Sequence, residues 1–403
     1  METKHLNLRY TLLHCSYWGI FCALGGYVAV YLDGKGFTAG QAGTLLALTN
    51  ILAAILQPFA AARADQSGRL SLRGLMLSIG SLSLVSLILL CFTGQHFWIV
   101  ALLFLIAFCT TQLLQPLINS VGMYHLNQGD PINFGLARGL GSVAYAGVSY
   151  LLGTMILRVG TVSVPGVSAV LYLVFLGMAV TFHIVSTKKN TDLKTDPETK
   201  AAKEERIPAS STFSGIGSFF SRYQYFAIFL AGVIFMFTFH FMTNTYMFQM
   251  ITNVGGNSQH MGIAVSIAAV CEIPVMLLFT RLVKRIPVEK LLRITAVCWT
   301  VKAVAFCFCT SVTSIYIVQV LQMFSFGLYV PASVYYANQI MDAGNKVKGQ
   351  AMVTVAFTIG SVLGNLLGGK LIDWYQVPAM LIAGVVFSAL GTVFFFLGTG
   401  KRR

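Results

Sequence analysis

The chain has 403 residues, of which 56% are hydrophobic and 10% charged. A soluble domain carries roughly 25% charged residues, so this composition excludes a soluble globular protein and points to one that crosses a membrane many times. The formal charge of +14 is no nucleic-acid footprint, because twenty-two of the 27 basic residues fall in loops on one side of the spans read below, the positive-inside pattern that puts both termini in the cytoplasm.

Runs of about 20 apolar residues recur from Leu8 to Gly398, the length a helix needs to cross a bilayer. The alternating strands of a porin-like barrel are absent. The first apolar segment has no small-residue cleavage site after a short hydrophobic core, so it reads as a retained span. Spans one and two run over 8–32 and 41–64. The first is aromatic, with Tyr10, Tyr17, Trp18, Tyr27 and Tyr31; at Trp18 and Tyr27, deeper in, either packing or ligand stacking explains the ring. Spans three and four cover 72–92 and 97–124, and the fourth is polar inside, with Gln112, Gln115, Asn119 and Ser120. Such amides either glue helices together or bind solute hydroxyls.

Span five follows Asp130-Pro131 and carries Arg138 among Gly135, Gly139 and Gly141. Arg138 is roughly 9 Å inside; it either snorkels to the cytoplasm or faces a cavity. Span six runs over 164–185. The composition then changes at Ser186–Arg206, a charged stretch with few apolar residues that reads as a disordered linker. It divides the chain into an N-terminal six-helix half (1–186), a cytoplasmic linker (187–221) and a C-terminal six-helix half (222–403). The second half's spans are 225–251, 261–282, 288–309, 315–340, 349–372 and 377–398. The halves look related: Ser149-Tyr-Leu-Leu-Gly153 recurs as Gly364-Asn-Leu-Leu-Gly368. A parallel repeat of this kind is one transporter architecture, with the solute bound between the halves near the midplane.

Two further ionisable groups lie deep. Glu272 is roughly 18 Å from either end of its span, where a carboxylate costs at least ~2.5 kcal/mol and marks a functional site by default. Lys302 is deep in the next span, so the two are placed to pair. On the tenth span Gln319, Gln322 and Tyr329 fall on one helical stripe, which must face protein or water. Enzyme signatures are missing: there is no nucleotide-binding loop, zinc-protease motif or nucleophile elbow. The eight cysteines lie in apolar segments without metal-site spacing. No cofactor, metal or enzymatic activity is expected.

These residues resemble the major facilitator superfamily, in the branch of lactose and phenylpropionate permeases. The resemblance rests on Asn7-Leu-Arg-Tyr10, Tyr17-Trp18, the stretch Gly43–Pro58, the loop Ala62–Arg69 and Phe134-Gly135-Leu-Ala-Arg138-Gly-Leu-Gly141. It implies that Arg138 binds solute, that Tyr145 stands where the branch has a sugar-stacking tryptophan, that Glu272 matches an eighth-helix glutamate, and that Lys302 matches a basic ninth-helix position. The chain departs from lactose permease at Asn119-Ser120, Gln319, Gln322 and Ser325, where that permease has charged or ionisable groups. The resemblance therefore implies a solute carrier of this architecture and not lactose transport.

The expectation is an all-α integral membrane protein of twelve transmembrane helices, a multi-pass protein of a bacterial inner or plasma membrane, working as a monomer. Its function is secondary transport of a small polar solute, sugar- or glycoside-like, coupled to protons. The substrate-binding residues are Arg138, Tyr145, Asn119, Gln115, Trp18, Gln322 and Tyr329, and the proton-coupling residues are Glu272 and Lys302. The alternatives are an organic-anion or aromatic-acid importer, a drug efflux carrier, or, from a different class, a membrane sensor or intramembrane enzyme.

Overall fold

The structure is a computed structural model, and it describes residues 5–65, 72–128, 130, 132–182, 219–342 and 345–400. The Ser186–Arg206 stretch, nearly all of the 187–221 linker and the 66–69 part of the Arg-rich loop lie outside the described residues.

Fourteen α-helices make up the described chain, with no strand among those residues. In the first half these are α1 (Leu6–Phe21), α2 (Val28–Asp33), α3 (Ala39–Asp65), α4 (Leu72–Phe92), α5 (Phe97–Asn127), α6 (Phe134–Val159) and α7 (Ser163–Val180). In the second they are α8 (Gln224–Thr245), α9 (Met247–Asn253), α10 (Ser258–Arg285), α11 (Val288–Cys307), α12 (Val312–Gln319), α13 (Phe326–Ile340) and α14 (Lys346–Gly398). Among the described residues, nine helices are long and apolar enough to cross a membrane. Their outer faces fit lipid: Phe92, Trp98 and Leu277 are at least three-quarters exposed, which in water would be a large apolar liability.

Capping residues set several helix starts. The Asn133 side chain accepts from the Leu136 amide at 2.9 Å, and Asn257 and Ser311 open α10 and α12 with reciprocal capping boxes. The first, seventh and tenth segments, read as unbroken in the sequence, are interrupted. A π-turn at Cys22–Gly26 separates α1 from α2, Tyr246 separates α8 from α9, and a 3₁₀ turn at Val320–Met323 with Ser325 separates α12 from α13. In α14 the chain turns at Gln376, which has φ 66° and ψ 178°.

α1 packs on α6 and α7, and α4 on α5 and α7, while α8 packs on α14 and α11 on α13 and α14. Two helix crossings join these bundles, α6 with α10 and α3 with α14. Both are backbone-close. A β-carbon on Gly153 would lie 2.6 Å from the Ser258 carbonyl, and one on Gly262 would lie 2.6 Å from the Ser149 carbonyl. In the second crossing Gly369 meets the Ala39 carbonyl in the same way, and Gly43 meets that of Asn365.

A tyrosine stands beside each crossing, bonded to a carbonyl of its own half, and Tyr246 also donates across to Ala39 O at 3.2 Å. Tyr27 donates to the Ser149 carbonyl at 2.5 Å, and Tyr246 donates to that of Asn365 at 2.6 Å. The tyrosines occupy matching breaks, with φ/ψ of −104°/12° and −100°/24°. The repeat therefore pairs Ser149 with Asn365 and Gly153 with Gly369, one residue on from the Gly364–Gly368 match legible in the sequence.

The inter-half hydrogen bonds described all lie in these crossings or beside them. Ser266 donates to Ala146 O at 2.8 Å, Ser258 to Gly153 O at 3.0 Å, Asn50 to Ser361 Oγ at 3.0 Å, and the Gly40 amide to Asp373 at 2.9 Å. They fall in the 146–153, 258–266, 38–50 and 361–373 stretches. The other ends of the same four helices, toward Arg63, Arg138, Arg285 and Lys346, carry no such bond among the described residues. The halves are pinned at one end.

Candidate functional site

Arg138 stands in the second turn of α6, which the Asn133 cap starts. Its guanidinium lies over the Trp18 ring at 3.9 Å from the centroid, close enough for a cation–π contact. Gly141 makes this possible: a β-carbon there would lie 2.5 Å from Trp18 Cδ1. Gly135 and Gly139 have no such close neighbour, so of the three glycines only Gly141 serves close packing here. Arg138 Nη1 also donates to Ser142 Oγ at 2.9 Å. Among the described residues no carboxylate lies within 4.0 Å of Arg138, the ion pairs there being His125–Asp130 and Arg222–Asp342.

Beside Arg138 is a cavity of about 110 Å³, lined by His14, Tyr17, Trp18, Gln115, Ile118, Asn119, Phe134 and Arg138. Four of the residues expected to bind solute, Trp18, Gln115, Asn119 and Arg138, are thus brought together. The polar face of α5 divides its labour. Gln112 donates to Asn50 Oδ1 at 3.1 Å and so ties α5 to α3, while Gln115 and Asn119, one and two turns on, line the cavity.

Across from this cavity, in the second half, a buried polar chain crosses three helical segments. Lys302 Nζ of α11 donates to Gln322 Oε1 at 2.5 Å, and Gln322 Nε2 donates to Glu272 Oε1 of α10 at 3.0 Å. Glu272 and Lys302 are therefore joined through an amide and not as the direct pair expected. Gln322 sits in the 3₁₀ turn that breaks the tenth segment. Gly327 lets the next helix approach, since a β-carbon there would lie 3.2 Å from both Cα and Cγ of Glu272. Lys302 and Gln322 are 4% and 5% exposed. Glu272 is partly buried, so the chain runs from a dry end at Lys302 toward its more open carboxylate, and its charge-assisted bonds are strong when complete and costly when broken at the dry end.

The remaining expected residues lie elsewhere. Tyr145 is two turns beyond Arg138 on α6, its hydroxyl 3.1 Å from where a β-carbon on Gly26 would sit. Tyr329 is buried against Phe237 and Trp299, with ring centroids 5.1 and 5.3 Å away. It belongs to the core of the second half, because the helix break at Ser325 takes it off the stripe of Gln319 and Gln322. His14 and Tyr17, which the sequence reading did not select for the site, line the cavity. Their signal was present: Tyr10, His14 and Tyr17 recur at four- and three-residue spacing on one face of α1.

Residues 7–382 match the MFS_1 like family. A maltose permease of Geobacillus stearothermophilus is 24% identical over 403 residues, covering 98% of this chain and 96% of that protein. Among solved structures, the nucleoside transporter NupG is similar with a TM-score of 0.77 at 15% identity, over 99% of this chain and 98% of its own. A peptide transporter POT matches with a TM-score of 0.67 at 14% identity, over 98% and 97% of the two chains. By the match over nearly its whole length, the chain belongs to the MFS_1 like family and is a multi-pass membrane transporter, not an enzyme.

Proposed function

We propose that the protein is a proton-coupled secondary transporter of a small, hydroxyl-rich solute, sugar- or glycoside-like, working by alternating access. The observation that carries this reading is the buried Glu272–Gln322–Lys302 chain in one half, placed opposite the Arg138 cavity of the other. A carboxylate inside the membrane needs a partner or a hydrated path, and a proton carried with the solute gives it a use. The amides, imidazole and phenol of the cavity wall suit hydroxyl groups. The relatives' names agree in kind, since maltose and nucleosides both bear hydroxyls.

In this reading the chain has twelve spans. The first is α1 with α2, the seventh α8 with α9, the tenth α12 with α13, and α14 supplies two, divided at Gln376. The termini and the basic loops face the cytoplasm, and the halves 1–186 and 222–403 rock about the central site. The two glycine crossings then close the outer face, and the solute path opens to the cytoplasm. The protein acts as a monomer in a bacterial inner or plasma membrane.

The test is exchange of a labelled neutral hexoside into proteoliposomes of purified protein, comparing wild type with Arg138→Lys. Lysine keeps the charge but loses the planar fork. Exchange by wild type with a marked loss in the variant is expected. No exchange of any hydroxylated solute by wild type, or full exchange by Arg138→Lys, contradicts the reading.

A further inference from the structure

The cavity wall holds polar groups that no hydrogen bond among the described residues satisfies. His14 is 2% exposed, and among the described residues neither ring nitrogen has a hydrogen-bond partner. The Tyr17 hydroxyl and Trp18 Nε1 are also buried without partners among those residues. All three residues line the cavity that Arg138 lines. Buried polar atoms are bonded in the great majority of cases, so several orphans on one wall mark a place where a guest completes the bonds. Packing alone explains the rings, since His14 lies edge-on to Tyr10 and Phe134 at 4.7 and 5.8 Å, but it does not explain polar atoms in that position.

The charges narrow the chemistry of the guest. Glu272 is tied to Lys302 through Gln322 and acts on Arg138 only through space, while no carboxylate among the described residues lies within 4.0 Å of Arg138 to pair with it directly. The cavity lining contains no acid. Arginine and the indole N–H can only donate, and a neutral imidazole offers one donor and one acceptor. Trp18 covers a face of the guanidinium, so the N–H edges remain for a planar partner, and a carboxylate matches that fork in bidentate fashion. The cavity, at about 110 Å³, is well below the roughly 300 Å³ of a whole ligand pocket. It accommodates one end of a solute.

We propose that His14, Tyr17, Trp18 and Arg138 form an anion subsite, and that the transported solute is a hydroxylated acid, such as a sugar acid or glycosiduronate. Arg138 takes the carboxylate, and His14 and Tyr17 take the hydroxyls beside it. The proposal rests on the solute-carrier reading above and sharpens its substrate class.

The experiment is calorimetric titration of the purified full-length protein in detergent with methyl glucuronide and with methyl glucoside, which differ in the carboxylate. The glucuronide is expected to bind at least about tenfold more tightly, about 1.4 kcal/mol. His14→Phe keeps the ring contacts but removes both nitrogens, and is expected to lose about tenfold toward the glucuronide, by the same conversion. His14→Gln restores a donor and an acceptor and recovers part of that loss, which a merely unfolded variant would not do. Equal affinity for the two probes, with the glucoside still exchanged by proteoliposomes, overturns the anion subsite and leaves the transporter reading standing. Unchanged glucuronide binding in His14→Phe also overturns it, by removing His14 from the subsite. Failure of wild type to bind or exchange either probe overturns the subsite together with the hydroxylated-solute reading.

Discussion

Gln322 holds Glu272 and Lys302 apart while bonding to both: its Nε2 donates to the carboxylate at 3.0 Å and its Oε1 accepts from the ammonium at 2.5 Å. The amide fixes the polarity of the chain, because each end of it suits only one of the two neighbours. Gln322→Leu fills similar space but leaves both charged groups without this partner. Loss of such bonds costs roughly 1–3 kcal/mol per buried group, so the thermal midpoint in detergent is expected to fall. The triple variant that also carries Glu272→Gln and Lys302→Met is expected to recover it, since no buried charge is then stranded. A midpoint unchanged in Gln322→Leu would contradict the bridging role.

Trp18 and Arg138 depend on Gly141. A β-carbon there would lie 2.5 Å from the Trp18 ring, so Gly141→Ala displaces the indole from beneath the guanidinium. A cation–π contact of this kind contributes about 0.5–2 kcal/mol. Solute affinity is expected to fall several-fold with a change in Trp18 fluorescence, while Gly139→Ala, with no atom nearby, leaves both unchanged. Equal effects of the two substitutions would remove Gly141 from this account.

The tyrosines beside the two crossings make a paired prediction. Tyr27→Phe and Tyr246→Phe each remove one hydroxyl that bonds a backbone carbonyl, of Ser149 and Asn365 respectively. Each single loss is expected to cost about 1 kcal/mol, and Tyr246→Phe, which also loses the bond across to Ala39 O at 3.2 Å, is expected to raise the fraction of molecules open at that end the more. Spin-label distances between α6 and α10, and between α3 and α14, read this directly. The double variant is expected to shift the distribution further than either single one, and distances unchanged in all three would contradict the latch.

Much of this arrangement was legible in the residues. The apolar runs pointed to long membrane helices, and the depth of Arg138, Glu272 and Lys302 in those runs singled them out, because charge inside a membrane segment is conspicuous against its surroundings. The breaks at Tyr27, Tyr246 and Ser325 were not read, although Gly25-Gly26, Thr243-Asn244-Thr245 and Gly327 stand beside them, because glycines and polar residues also occur in unbroken membrane helices. The break at Ser325 is why Tyr329 lies in the aromatic core while Gln322 meets Glu272. His14 escaped notice for a different reason: one imidazole in an aromatic span looks like packing until the cavity it borders is seen. The glycine crossings were visible as a repeat, but only the carbonyls they meet fix the register.

The central claim is that Glu272 carries the coupled proton. The most direct measurement compares wild type with Glu272→Gln in proteoliposomes, using one solute in two assays: exchange at equal concentrations, and accumulation driven by a pH gradient alone. The account predicts that Glu272→Gln, which keeps an amide able to bond Gln322 but cannot ionise, retains exchange and loses accumulation. Accumulation that persists in Glu272→Gln with the pH gradient as sole driving force would contradict it.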